Sequence, residues 1–298
     1  MKSLSAVPVL LCAGLASPAL AQSAQEGFYT NGYAELGYYS QGSNNDTLGY
    51  AKATIGYNMN NGFGAEVGID AAITDTESYS ALYGALSYQS SFGKLSFGAP
   101  RGVVDAFLDY VPALGGSTLF DLGQIGLTKG SYMSLAYLFN NGETPVGLRY
   151  DGTFGSTNVG ASYHRYDDIN VYNLAANVQF GSAMVTGAIE HLETDTQSDT
   201  RYFLGVESKF GPVTAGLLYG QNALLGNNNS VELYAKYKPL DQLELTATAL
   251  DIDGSSDTAF GLAADYTFSQ GLYVKAGVAD SFSSSSDTAV NLALGLRF

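Results

Sequence analysis

The ten residues Ala289–Phe298 alternate between large apolar side chains and small or polar ones. Val290, Leu292, Leu294, Leu296 and Phe298 fall on one side of an extended chain, and Ala289, Asn291, Ala293, Gly295 and Arg297 on the other. Period two is the period of a strand, so this segment is a ribbon with one greasy face. The pattern recurs. In Phe260–Phe268 the even positions are apolar, and in Tyr172–Phe180 Leu174, Ala176, Val178 and Phe180 oppose Asn173, Asn177 and Gln179. A soluble β-sandwich also alternates, but it encloses its apolar residues and has no use for so many long strands with small inward side chains. The pattern predicts an all-β fold, a transmembrane antiparallel β-barrel with lipid outside and water inside.

Sixteen such segments lie near 28–39, 48–57, 63–73, 79–89, 94–100, 144–153, 157–166, 170–180, 183–192, 201–210, 212–220, 230–239, 242–251, 257–268, 271–282 and 288–298. Most have the length that crosses a bilayer at a tilt. An even count returns both termini to one side, and sixteen strands leave room for an aqueous lumen. The connections alternate between tight turns, such as Ser91–Gly93, Phe154–Ser156 and Gly181–Ser182, and more polar ones expected to be longer, such as Ser40–Thr47, Glu193–Thr200 and Gln221–Asn229. Phe-Gly recurs at the tight set, at Phe92-Gly93, Phe154-Gly155, Phe180-Gly181 and Phe210-Gly211. Glycine supplies the turn backbone, and the phenylalanines are expected in an aromatic girdle at the membrane boundary.

Residues 1–21 read as a secretory signal: Lys2, an apolar stretch from Val7 to Leu15, and Ala19-Leu20-Ala21 before Gln22. The single cysteine, Cys12, lies inside it, so the remaining chain, 22–298, holds no thiol for a disulfide or metal site. The chain carries a formal charge of −15, and loss of Lys2 makes it more negative. A chain without a basic patch is a poor partner for nucleic acid. No cofactor or metal site is legible, and the loop acids, among them Asp46, Glu193, Asp195, Asp199, Asp253, Asp257 and Asp287, match no calcium-loop spacing. High Gly and Tyr, 36 and 22 residues, suit a crowded wall and a membrane–water boundary.

One connection breaks the rhythm. Residues 101–143 hold no clean spanning strand, yet Val103, Val104, Phe107, Leu108, Tyr110, Val111, Leu114, Leu119, Phe120 and Leu122 are too apolar to float in solvent. A long loop of this kind is expected to fold back into the lumen. Phe92-Gly93-Lys94-Leu95-Ser96-Phe97-Gly98, then Gly102-Val103-Val104-Asp105 and Pro112-Ala113-Leu114-Gly115-Gly116-Ser117, resembles the fifth strand and inward third loop of the sixteen-stranded trimeric general porins of Gram-negative outer membranes. Tyr50-Ala51-Lys52 followed by Ile55-Gly56-Tyr57 is similar to their second strand, and Gly147-Leu148-Arg149-Tyr150-Asp151 to the strand after the inward loop. The stretch Asp257–Tyr266 and the terminal Phe298 are similar to the alphaproteobacterial branch. The resemblance implies passive diffusion of small hydrophilic solutes and ions, a homotrimer in the outer membrane among lipid and lipopolysaccharide, and a constriction of third loop against basic wall. It also implies that Phe298 is the outer-membrane assembly signal. The positions where the family carries acids beside the Gly-Gly pair are Ala113 and Ser117 here, and Ala99-Pro100-Arg101 shifts the expected basic residue.

Alternation places Lys52, Arg149, Lys209, Lys236, Lys238, Lys275 and Arg297 inward, against Glu35, Glu66, Asp70, Asp151, Glu190, Glu207, Glu232, Glu244 and Asp265. Seven cations against nine acids, with Asp105, Asp109 and Asp121 on the loop, predict a weak preference for cations. Lys52, Arg101, Asp105, Asp109, Asp121 and Arg149 are the constriction candidates. The alternatives are a substrate-selective channel, for sugars for example, and a barrel enzyme. Inward Tyr33, Tyr83, Tyr234 and Tyr273 speak to the first, but on sequence they do not cluster in adjacent strands. The second has only inward His164 beside Ser162, and outward His191, with no Gly-x-Ser-x-Gly context. No catalytic residue is assigned.

Overall fold

The computed structural model describes residues 26–75, 78–118, 129, 145–223, 228–255, 257–280 and 288–298. The expected leader 1–21 and Asp121 lie outside the described residues, as does most of 119–144. The first strands are β1 (Gly27–Gln41), β2 (Asn44–Asn58), β3 (Phe63–Ile73), β4 (Ser78–Ser90) and β5 (Gly93–Ala99). A short helix, α1 (Val103–Leu108), and a 3₁₀ turn at Leu114–Gly116 follow. Next come β6 (Val146–Phe154), β7 (Thr157–Tyr166), β8 (Ile169–Phe180), β9 (Ala183–Glu193), β10 (Ser198–Phe210) and β11 (Val213–Ala223). The chain ends with β12 (Asn228–Leu240), β13 (Leu243–Ile252), β14 (Ala259–Thr267), β15 (Leu272–Ala279) and β16 (Ala289–Arg297).

Each strand pairs antiparallel with its sequence neighbours, and β16 pairs with β1 from Tyr33↔Arg297 to Gln41↔Ala289, closing the barrel. Phe298 extends the seam by exchanging two backbone hydrogen bonds of 3.0 Å with Gly32. Closure leaves no edge, which a sheet standing in hydrocarbon requires because nothing there can satisfy a free N–H or C=O. The alternation read from the sequence reappears as alternating exposure. On β16, Val290, Leu292 and Leu294 are exposed while Ala289, Asn291 and Ala293 are buried. Phe92, Phe154, Phe180 and Phe210 are all exposed at the tight-turn rim, as expected of a girdle.

The opposite rim differs from expectation. Ser40–Thr47 is a hairpin with only Gly42 and Ser43 between strands, because Asn44, Asn45 and Asp46 pair with Gln41, Ser40 and Tyr39. The connection expected at Glu193–Thr200 likewise shrinks to 194–197, with Ser198 and Asp199 paired to Glu193 and Leu192. Polar side chains do not stop a backbone from pairing; they only mark where the sheet has risen above the lipid. Leu294, near the middle of β16, tests the lipid-facing assignment. Leu294→Arg should destabilise the membrane-inserted barrel by about 2–4 kcal/mol in equilibrium refolding with lipid vesicles, whereas Leu294→Val should be close to neutral.

Candidate functional site

The residues after β5 run inside the barrel, and their backbone is tied at the root. Pro100 O accepts from His164 Nε2 at 2.9 Å, and Arg101 O and Gly102 O accept from Arg149 at 3.1 and 3.2 Å. Val103 N donates to Ser162 Oγ at 3.3 Å. Arg149 is itself held by both oxygens of Asp151, at 2.8 and 2.7 Å. A bidentate guanidinium is the geometry that fixes orientation as well as charge. Arg149, a constriction candidate by sequence, thus grips the root of the loop, and His164 and Ser162 share that task.

From the root the chain lies along one half of the wall. Val103, Val104, Phe107, Leu108 and Val111 bury against Ala175, Ala188, Phe203 and Leu218 of β8–β11. Leu114 buries against Leu250, Ala259 and Ala279 of β13–β15. The berth exists because the inward residues at its closest approaches are small. A Cβ on Gly277 would fall 1.8 Å from Gly115 O, and one on Gly261 2.2 Å from Gly115 N. Gly115 and Gly116 have φ of 58° and 66°, the left-handed region that favours glycine. Thr248 Oγ1 accepts from Gly115 N at 3.4 Å and Asn291 Nδ2 donates to Gly115 O at 2.9 Å, so the buried peptide is not left unpaired. Sequence reasoning expected residues 101–143 to turn into the lumen; the described stretch 101–118 lies against the wall there, in a berth the sequence reading did not foresee. Its signal was present, in the small inward residues Gly160, Ala175, Ala188, Gly261, Ala263, Gly277 and Ala279.

The free edge of the loop faces β1 and β2. Lys52 Nζ stands 3.5 Å from Asp109 Oδ1, with the Asp109 side chain 75% exposed. This ion pair joins wall to loop. An open space of about 320 Å³ beside it is lined by Tyr33, Lys52, Asp105, Asp109, Pro112 and Arg297, among others. Arg101 turns to the wall instead, pairing with Asp70 and stacking 4.1 Å from the centre of the Tyr83 ring. Of the wall charges, Lys94 pairs with Glu66 at 2.9 Å, Lys275 with Glu35 at 2.9 Å, Lys238 with Glu244 at 3.1 Å, and Arg297 with Asp265.

Lys94 and Arg201, the first residues of their expected strands, also sit on the inward register and pair with Glu66 and Glu190. Asp46 and Asp199, assigned by sequence to outer loops, sit on inward registers near the rim opposite the tight turns because their strands run on. Seven cations against nine acids becomes nine against eleven, so the acidic surplus moves to the mouth. The four inward tyrosines stand apart as expected, on β1, β4, β12 and β15, but that set omits Tyr50 on β2. Tyr33 meets Tyr50 on the adjacent strand with ring centres 5.5 Å apart. Tyr83 and Tyr273 are buried beneath Arg101 and Arg297, whose guanidinium carbons lie 4.1 and 3.8 Å from the ring centres. A ring's negative face attracts a cation, so these two are platforms for charge, not surfaces open to a solute.

The profile of the family described as Gram-negative porin matches residues 6–286. No curated protein matches the sequence significantly. Solved structures similar to this chain include three engineered mutants of the Rhodopseudomonas blastica porin. They share 19%, 19% and 20% identity, cover 91% of this chain and 100% of their own, and superpose with TM-scores of 0.70, 0.69 and 0.69.

The berth makes a testable demand. Gly277→Val should overpack the contact with Gly115 and cost about 1–3 kcal/mol, releasing the loop to proteolysis in folded protein. Gly187→Val, at a glycine whose Cβ would meet nothing within 4 Å, should leave the digestion pattern unchanged.

Proposed function

This chain belongs to the Gram-negative porin family, and we propose that it forms a water-filled outer-membrane channel for passive diffusion of small hydrophilic solutes and ions, weakly preferring cations. The family and fold are those of non-enzymatic channels. The observation that carries the reading is the Lys52–Asp109 pair. It brings a loop acid to a basic residue of the wall across the lumen, where a passing ion meets both. Lys52, Asp105 and Asp109 are the proposed constriction charges that ions meet, and Asp121 is a further candidate on the same loop. Arg101 and Arg149 act on ions less directly, because they turn into the wall and the loop root, while Lys52, Asp105 and Asp109 border the open space.

Charged rings set ion preference in wide pores. A wall of paired charges with surplus acids toward the mouth supports a mild preference for cations. In the same reading residues 1–21 are removed on export, Phe298 serves as the assembly signal, and three copies associate among lipid and lipopolysaccharide. The Tyr33–Tyr50 pair beside Lys52 favours one alternative, a sugar-selective channel.

Planar-bilayer recording tests the proposal. Expected are ohmic currents that close in steps of three and a reversal potential on the cation side in a salt gradient. Asp105→Asn with Asp109→Asn should move that potential toward anions. Clear anion preference in the unaltered protein would contradict the selectivity, and saturable block by a sugar would favour the alternative.

A further inference from the structure

Three tyrosines of this barrel are set in the same cross-strand row. Tyr273 on β15 faces Gly295 on β16, which faces Glu35 on β1. Tyr234 on β12 faces Gly216 on β11, which faces Glu207 on β10. Tyr29 on β1 faces Gly56 on β2, which faces Glu66 on β3. In each row the glycine leaves out the side chain that would block the ring: a Cβ on Gly295, Gly216 or Gly56 would fall 2.2, 2.3 or 2.2 Å from the tyrosine Cζ. The ring therefore crosses the middle strand, and its hydroxyl donates to the carboxylate two strands away. The distances are 2.8 Å for Tyr273 to Glu35, 2.8 Å for Tyr234 to Glu207 and 2.9 Å for Tyr29 to Glu66.

A lysine completes each unit. Lys275 lies 2.9 Å from Glu35, Lys236 3.6 Å from Glu207, and Lys94 2.9 Å from Glu66. In the first two the lysine follows the tyrosine by two residues, so both reach into the lumen from one strand. These two units also hold the inward loop. Lys275 Nζ donates to Thr118 Oγ1 at 3.3 Å, and the Thr118 hydroxyl donates to Glu35 at 2.5 Å. Lys236 Nζ donates to Tyr110 O. The third unit is built alike, but the hydrogen bonds described for it stay within the wall.

A lone lysine is a flexible tether with three donors to place. A carboxylate fixed by a tyrosine draws the ammonium to one place, through a 2.9 Å contact at Lys275 and a 3.6 Å ion pair at Lys236, and so aims its donors. We infer that the tyrosine–glycine–glutamate row with its lysine is a bracket that seats the inward loop at Tyr110 and at Thr118, and so sets the width of the passage. The inference rests on the channel reading above. Glu35, Lys236 and Lys275 are then positioning residues for the loop, distinct from charges that act on passing ions.

Tyr234→Phe and Tyr273→Phe each remove one hydroxyl and no charge. Single-channel recording of the folded full barrel, with heat-modifiable gel migration as the check on closure, separates the roles. Loss of each hydrogen bond should raise the occupancy of displaced-loop conductance levels about fivefold, more in the double variant, with the reversal potential unchanged. Tyr29→Phe should behave as the parent. If the phenylalanine variants do not close, Thr118→Val carries the same expectation from the loop side. The bracket is overturned if the double variant conducts like the parent, if Tyr29→Phe disturbs the current equally, or if only the reversal potential moves. No conductance from the unaltered protein would overturn the channel reading itself, and the bracket's effect on width with it.

Discussion

The seam between β1 and β16 is the constraint on which the rest depends. Hydrocarbon offers no hydrogen-bond partner, so a sheet that stands in it must have no edge. Once the sixteen strands close, each residue's face is decided by its parity, and the interior is too wide for wall side chains to fill. The loop, the paired charges and the buried tyrosines are all answers to that hollow.

Residues 100–118 answer it at a cost, because this stretch joins no strand and carries backbone polar groups into a partly buried place. Side chains of the wall meet that cost residue by residue: His164, Arg149 and Ser162 at the root, Thr248 and Asn291 at Gly115, Lys236 at Tyr110. Small residues do the complementary work of letting the backbones approach. On the side of the barrel that receives the loop, glycine and alanine stand at the closest approaches, among them Gly160, Gly261 and Gly277. The side that faces its free edge carries Tyr33, Tyr50 and Lys52.

The alternation of β16 and the other strands was legible because parity needs no knowledge of partners. So were the inward course of residues 101–118, from their apolar content, and the inward register of Lys52. What was not legible is pairing between strands distant in sequence. Glu35 looks like a free wall charge until Tyr273 and Thr118, far along the chain, are brought to it. Arg149 looks like a pore charge until Arg101 and Gly102 present their carbonyls. The polar run Ser40–Thr47 read as a loop because composition reports solvent, while pairing is decided by the backbone of the opposing strand. Arg201 and Lys94 were overlooked because they begin their segments, where strand limits are least certain.

Solvent contact along a single strand probes the whole account most directly. On β13, Thr246 faces the open space in the lumen, while Leu245 points outward with its side chain exposed. With Cys12 replaced or removed with the leader, a single cysteine at 245, 246 or 247 can be challenged with a membrane-impermeant maleimide in proteoliposomes. Rapid labelling at 246 alone is the expected result; equal labelling at all three would mean that the ribbon does not divide lipid from water.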